Sequence, residues 1–347
     1  MQMKPLSIAL LGCGRIARSV HLPVLNALPG ARVVALADAE ADALEQAGSV
    51  TPGARRYEDY ASAVEDADVD AVVVCLPPLL HGVAARLALG GCKHVYVEKP
   101  LAVGVDDALE LVTAWRKQGV VGAVGFNYRA DRAYMNMREL MRGGERSRLV
   151  HGRSTFSSAP VVLPVWKAKL ATGGGALLDL GSHHFDLYHH ALGGRVVEVD
   201  ARTRSRKSDE DTVSVRAMFA DGVTVESHFA FGTLDEDRFE LFCEGAKHSF
   251  DRYTKAHEQG RPASFRYGRA SVLREAGSQL AGALARLTLA PGEPSFAASL
   301  GAFVAAAAGK GEALADFDDG LRSLRLVDAA RRSAEQARPV CMDSEAV

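Results

Sequence analysis

Asp179 and His183 stand four residues apart in the stretch Gly173-Gly174-Gly175-Ala176-Leu177-Leu178-Asp179-Leu180-Gly181-Ser182-His183. On a helix that spacing puts both side chains on one face, where a carboxylate can orient an imidazole or stabilise its charged form. A histidine held in this way titrates near neutrality and can take the proton of a hydroxyl group while hydride leaves the same carbon. Lys99, within Tyr96-Val97-Glu98-Lys99-Pro100, is the next chemical group. In a crevice at a strand end a lysine can hydrogen-bond a substrate hydroxyl and hold the conjugate alkoxide. Taken alone, it is explained more simply by a surface pair with Glu98.

Hydride needs an acceptor, and Gly12-Cys13-Gly14-Arg15-Ile16-Ala17 supplies a place for one. The pattern G-x-G-x-x-G/A lets backbone approach a pyrophosphate, and the N-H groups and dipole of a following helix favour the anion. Asp38 lies twenty-one positions past Ala17 at the end of a second strand, where a carboxylate accepts hydrogen bonds from the adenosine ribose hydroxyls. Capping of the helix that starts near Glu40 is compatible with that role. Because Asp38 would meet a 2′-phosphate with like charge and neither Ala37 nor Ala39 is basic, NAD is expected in preference to NADP.

These groups need elements to hold them. Apolar runs at Leu6 to Gly12, Arg32 to Asp38, Ala71 to Leu76, His94 to Val97 and Val120 to Gly125 read as strands separated by helical stretches. Strands buried on both faces and alternating with helices predict a parallel, doubly wound Rossmann sheet over residues 1–125. The grammar then changes. Val196 to Arg202, Thr212 to Phe219, Val223 to Phe231 and Phe239 to Cys243 follow in succession, with Ala220-Asp221-Gly222 as a hairpin turn, and predict an antiparallel sheet. The fold class is therefore α/β followed by α+β. Residues 126–317 are expected to form the second domain, with an insertion between Arg252 and Pro294 that carries a helical segment near Val272 to Leu287.

Composition narrows the function. Forty-one lysines and arginines against 43 acidic residues in 347 give no field that would gather nucleic acid or an anionic membrane, so a small-molecule partner is expected. No apolar run approaches the roughly 20 residues of a membrane span, and the first residues lack the pattern of a signal peptide. A cytoplasmic protein is expected. Five cysteines without a C-x-x-C pair predict reduced thiols and no structural zinc, with Cys13 a small residue that fits its turn. His183, His184, His189 and His190 are too divergent on a helix to gather a metal, so none is expected. His81, beyond Pro77-Pro78, either lines the cofactor crevice or caps the next helix.

Together these residues resemble the Gfo/Idh/MocA family, named for glucose-fructose oxidoreductase, inositol dehydrogenase and a rhizopine-degrading protein. The resemblance runs through Gly12 to Ala17 with His21-Leu22-Pro23, Pro77 with His81, Glu98-Lys99-Pro100, Gly125 to Arg129, Trp166-Lys167, the glycine-aspartate-histidine stretch and Phe317 to Val340. It implies that Lys99, Asp179 and His183 are catalytic. Gly12, Cys13, Gly14, Arg15, Ile16, Asp38, Leu76, Pro77, His81, Glu98 and Asn127 would serve the cofactor, and Arg129 and Trp166 the substrate. It further implies a large, mostly antiparallel open second sheet, a helix over 318–337 returning to the first domain, and a homodimer or homotetramer. Leu76 and Lys167 depart from the residues common in the family at their positions.

The activity these features predict is interconversion of a secondary alcohol and a ketone on a sugar, sugar derivative or cyclitol. A glycoside-cleaving enzyme using transient oxidation needs one further base, and no residue is assignable to it. A non-catalytic dinucleotide sensor would not require Lys99, Asp179 and His183 together.

Overall fold

Residues 4–160, 162–260 and 294–342 are described by the computed structural model. They divide into two compact units, one of residues 4–130, 165–174 and 294–328, the other of residues 131–160, 162–164, 175–260 and 329–342.

In the first unit, β1 (Leu6–Leu11), β2 (Ala31–Ala37), β3 (Arg55–Tyr57), β4 (Ala71–Val74), β5 (His94–Val97) and β6 (Gly122–Val124) form one sheet in the order β3-β2-β1-β4-β5-β6. All neighbours are parallel. The strands are nearly continuous apolar runs because both sheet faces are covered: β4 is Ala-Val-Val-Val, buried throughout. Ile8, Leu10, Val73 and Tyr96 share a core with Leu300 and Phe303 of the helix Pro294–Ala307. The strand order reverses between β1 and β4, and in open parallel sheets ligands bind at the carboxyl ends of the strands flanking that point. Five strands are expected from sequence and six are present. The additional β3 is a three-residue, largely exposed edge strand that carries no apolar run.

The second unit holds an eight-stranded sheet. Its strands are β7 (Leu149–Ser158), β8 (Val196–Arg204), β9 (Thr212–Phe219), β10 (Thr224–Phe231), β11 (Glu236–Cys243), β12 (Ala246–Asp251), β13 (Ala256–Gly260) and β14 (Val340–Cys341), in the order β13-β12-β11-β7-β10-β9-β8-β14. Every pair is antiparallel except β7 with β10. The predicted Ala220-Asp221-Gly222 turn joins β9 to β10, with Gly222 at φ +86°. Alternating burial along β9 and β10 shows one covered face. A helical segment covers it: Phe185 meets Phe229 at 5.7 Å between ring centroids, and Tyr188 meets Phe219 at 5.8 Å. Full burial of each phenylalanine is worth about 1.5–3 kcal/mol.

Sequence reading finds four of these eight strands. β7 and β12, Leu-Val-His-Gly-Arg-Ser-Thr-Phe-Ser-Ser and Ala-Lys-His-Ser-Phe-Asp, are too polar to announce themselves, and two-residue β14 exists only through pairing with β8. The helix expected near Val272 to Leu287 lies outside the described residues. Among the described residues no helix is long and apolar enough to cross a membrane.

Candidate active site

The glycine turn follows β1 at the reversal point. Gly12 has φ +90°, and a Cβ there would stand 2.6 Å from the carbonyl oxygen of Cys75 after β4, so only glycine fits. Gly14 differs: it is exposed, and a Cβ built on it meets no atom within 4 Å. Arg15 and Ile16 beside it are also exposed. The first helical bond runs from the Arg18 amide to the Gly14 carbonyl at 3.1 Å, which leaves the amides at the start of the helix without intrahelical acceptors. An open, glycine-lined cradle ending in helix amides fits the pyrophosphate of a dinucleotide.

Asp38 is fastened to this turn. Its Oδ2 accepts the Cys13 amide at 2.6 Å and its Oδ1 accepts the Glu40 amide at 2.9 Å. A carboxylate has about four lone-pair sites, so acceptor capacity remains for ribose hydroxyls. Cys13 is fully buried, with Sγ 3.7 Å from the Ala37 carbonyl. Burial, with Asp38 and Cys75 adding to it, pushes its thiol up to about 12. It is an unreactive filler.

Lys99 is half-buried just past the carboxyl end of β5, and the Lys99–Pro100 peptide is cis. Two histidines organise its surroundings. His81, which is buried, bridges the loops after β4 and β5, its Nδ1 2.6 Å from the Pro100 carbonyl and its Nε2 2.8 Å from the Leu76 carbonyl. Burial pulls its pKa down against the two carbonyls. Leu76 is half-buried and Pro77 exposed. His21 is fully buried, with Nε2 2.7 Å from Glu98 Oε1. Burial opposes its charge, but Cys75 and Glu98 outweigh that and hold its pKa at about 10. Burial would raise the Glu98 carboxyl, yet His21 and then Lys99 hold it below its ordinary value. The Glu98 carboxylate is therefore turned inward. Gly125 makes room for it, since a Cβ there would stand 3.1 Å from the carboxyl.

Asn127 is buried and donates from Nδ2 to Ser295 Oγ at 2.9 Å. Arg129, expected from the resemblance to serve the substrate, is buried and ion-paired within the first unit. Its Nη1 lies 2.8 Å from Asp319 Oδ2 and 2.7 Å from the Leu314 carbonyl, and its side chain is 6% exposed. Through Nη1 the guanidinium anchors the start of the helix Phe317–Gln336. Trp166 is half-buried in the turn Val165–Ala168, its carbonyl accepting Thr172 Oγ1 at 2.8 Å.

In the second unit, Asp179 lies in a π-helical turn, Leu177–Gly181, that runs into the α-helix Ser182–Leu187 carrying His183. The wider i→i+5 bonding makes four residues slightly less than one turn, so the pair keeps one face. Asp179 is half-buried and His183 is 7% exposed. Gly181 lets this segment approach the sheet: a Cβ there would stand 3.2 Å from the Phe229 ring. Beneath lies a polar network that sequence reading misses. His184 and Asp237 are both 0% exposed; His184 Nε2 is 3.1 Å from Asp237 Oδ1, and Nδ1 is 3.0 Å from Ser154 Oγ. Asp237 also takes the Tyr134 hydroxyl and, through Oδ2, Arg252 Nε at 2.8 Å. Burial would raise its carboxyl, but His184 and Arg252 bring it down to about 2. The neighbour of the candidate catalytic histidine is thus a structural anchor. A buried acid within an alternating strand is the one signal for it in the sequence.

A parallel sheet with an open glycine cradle at the point where its strand order reverses defines a Rossmann-type dinucleotide-binding fold. Residues 6–126 match the model of an oxidoreductase family with an NAD-binding Rossmann fold, and residues 134–248 match the GFO/IDH/MocA C-terminal domain. The chain belongs to this family. It is 30% identical over 240 residues to the 1,5-anhydro-D-fructose reductase of Ensifer adhaerens, covering 67% of this chain and 72% of that protein. With the myo-inositol 2-dehydrogenase of Thermotoga maritima it shares 28% over 242 residues, 68% of this chain and 69% of that protein. Its fold is similar to that of the WlbA dehydrogenase of Bordetella pertussis, solved with NADH and UDP-GlcNAcA (TM-score 0.83, 21% identity, 99% of each chain).

Proposed function

We propose that the chain interconverts a secondary alcohol and a ketone on a sugar, sugar derivative or cyclitol, with NAD preferred to NADP. The observation that carries this reading is the open cradle at Gly14 on the edge of the sheet where Lys99 also emerges. The names of the relatives, reductases and dehydrogenases of anhydrofructose and inositol, support the substrate class.

When bound, NAD supplies the hydride acceptor. The turn Gly12 to Ile16 takes its pyrophosphate, Asp38 its ribose hydroxyls, and the loops of Leu76, Pro77, Glu98 and Asn127 border it. His81 and Glu98 act by setting those loops. Lys99 holds the substrate oxygen as charge develops on it. His183 takes the hydroxyl proton on its imidazole, with Asp179 orienting the ring. Trp166 is the residue we assign to the substrate, and Arg129 to the scaffold.

Residues 1–125, with Asn127 just beyond them, then serve the cofactor, and the domain over 126–317 otherwise serves the substrate and assembly, with the helix over 318–337 tied back to the first domain. We place the enzyme in the cytoplasm as a homodimer or homotetramer assembled through the open sheet face. A screen of polyols with NAD, and of their keto forms with NADH, read at the absorbance of reduced nicotinamide, tests the reading. Turnover of at least one cyclitol or aldose is expected; a tightly bound dinucleotide with no turnover across the screen would favour a sensor.

A further inference from the structure

The far end of the β11-β12 hairpin holds a group of side chains that the proposed reaction does not use. Cys243 ends β11 and His248 lies on β12. The register pairs Cys243 with Ala246 and Leu241 with His248, so Cys243 and His248 are diagonal neighbours on one sheet face. Both are buried, His248 at 1% exposure. Glu145 closes the third side from the short turn Glu145–Arg148, which is tied to the hairpin by the Glu244 amide donating to the Arg148 carbonyl at 2.9 Å.

One ligand atom from each of Glu145, Cys243 and His248 lies within 4.8 Å of the other two. His248 Nε2 and Glu145 Oε2 face each other at 3.6 Å. Both atoms are buried, and neither has a hydrogen-bond partner among the described residues. That is costly for polar atoms unless something sits between them. Behind the site, His248 Nδ1 is 3.1 Å from His257 Nε2, and His257 stacks on Phe250 at 4.5 Å. The other oxygen, Glu145 Oε1, is held by Arg148 Nη1 at 2.8 Å. Each of these two ligands is therefore oriented from outside, as ligands of metal centres are.

We propose that Glu145, Cys243 and His248 bind a divalent transition metal of the zinc type, with water as fourth ligand, and that the ion pins the Glu145–Arg148 turn to the hairpin. Thiolate, imidazole and carboxylate in a tetrahedral zinc shell stand about 3.5 Å apart, so ligand atoms that lie within 4.8 Å of one another need to close by about 1.3 Å at most. Glu145 Oε2 and His248 Nε2, at 3.6 Å, already stand close to that separation. Binding replaces the Cys243 S-H bond by a sulfur-metal bond and releases the proton to solvent.

The test uses the full-length protein, stripped with a chelator and titrated with Co(II) and Zn(II). One Co(II) per chain is expected, with a thiolate-to-cobalt charge-transfer absorbance that Zn(II) displaces. Cys243→Ser should abolish the absorbance and Cys341→Ser should keep it. His257→Phe, which preserves the stack on Phe250, should weaken binding roughly 10- to 100-fold. Should Cys243→Ser fail to fold, wild-type protein settles the matter: at a urea concentration below the unfolding transition, where local opening exposes the buried thiol, Zn(II) must protect Cys243, mapped by mass spectrometry, from a thiol reagent. Absence of stoichiometric Co(II) binding, an absorbance that survives Cys243→Ser, or no protection of Cys243 would each overturn the proposal.

Discussion

The Asp38 carboxylate and the Cys13 amide nitrogen are 2.6 Å apart, so the residue we assign to the ribose also fixes the turn assigned to the pyrophosphate. Hydrogen bonds to a charged acceptor contribute about 1.5–3 kcal/mol. We expect wild-type protein to bind NADH more tightly than NADPH, and Asp38→Ala to lose about tenfold or more in NADH affinity while narrowing that preference. Fluorescence titration with both cofactors reads this directly. Tighter binding of NADPH by the wild type would remove Asp38 from the role.

The two glycines of the turn should fail differently. Gly12→Ala introduces a Cβ against the Cys75 carbonyl at φ +90°, and should lower the melting temperature by several degrees. Gly14→Ala has room for its methyl group in the protein and should leave the melting temperature nearly unchanged while weakening NADH binding. Equal thermal loss in both variants would mean that the space at Gly14 is not a ligand cradle.

His183 and Lys99 are expected to separate in kinetics. Removing a general base costs roughly 10²- to 10⁴-fold in rate, so His183→Ala should cut kcat heavily and leave the NADH dissociation constant almost unaltered. Lys99→Ala should lower kcat and raise KM, because its contact with the substrate oxygen exists in both ground and transition states. Near-normal turnover of His183→Ala with an unchanged pH profile would move the proton transfer to another group, Lys99 first.

Asp237 should govern stability. Breaking a buried pair costs about 3–5 kcal/mol, so Asp237→Ala is expected to unfold at markedly lower urea, since it removes the buried carboxylate that both His184 and Arg252 reach. The pH dependence has a definite sign. The folded carboxyl sits at about 2, below its ordinary 3.8, so its contribution is present above about pH 4 and is lost as the pH falls towards 2. Wild type and variant should therefore converge in acid. A constant gap between their unfolding free energies down to pH 2 would contradict this.

Much was settled by residues close together in the chain. The apolar runs, the glycine turn, Asp38 and the Asp179-His183 spacing are local patterns, and local sterics and periodicity suffice to place them on strand ends and one helix face. What the sequence could not settle depends on partners far along the chain. The partner of Arg129 within its own unit, Asp319, comes 190 residues later. His184 is one of four nearby histidines with no role of its own until Asp237 arrives from β11. Polar β7 becomes a central strand because β10 and β11 pair with it. Glu145, Cys243 and His248 share no motif, and hairpin register alone brings two of them to one face. A charged or polar side chain takes its meaning from what neutralises it, and only long-range closure of the sheets supplies that neighbour.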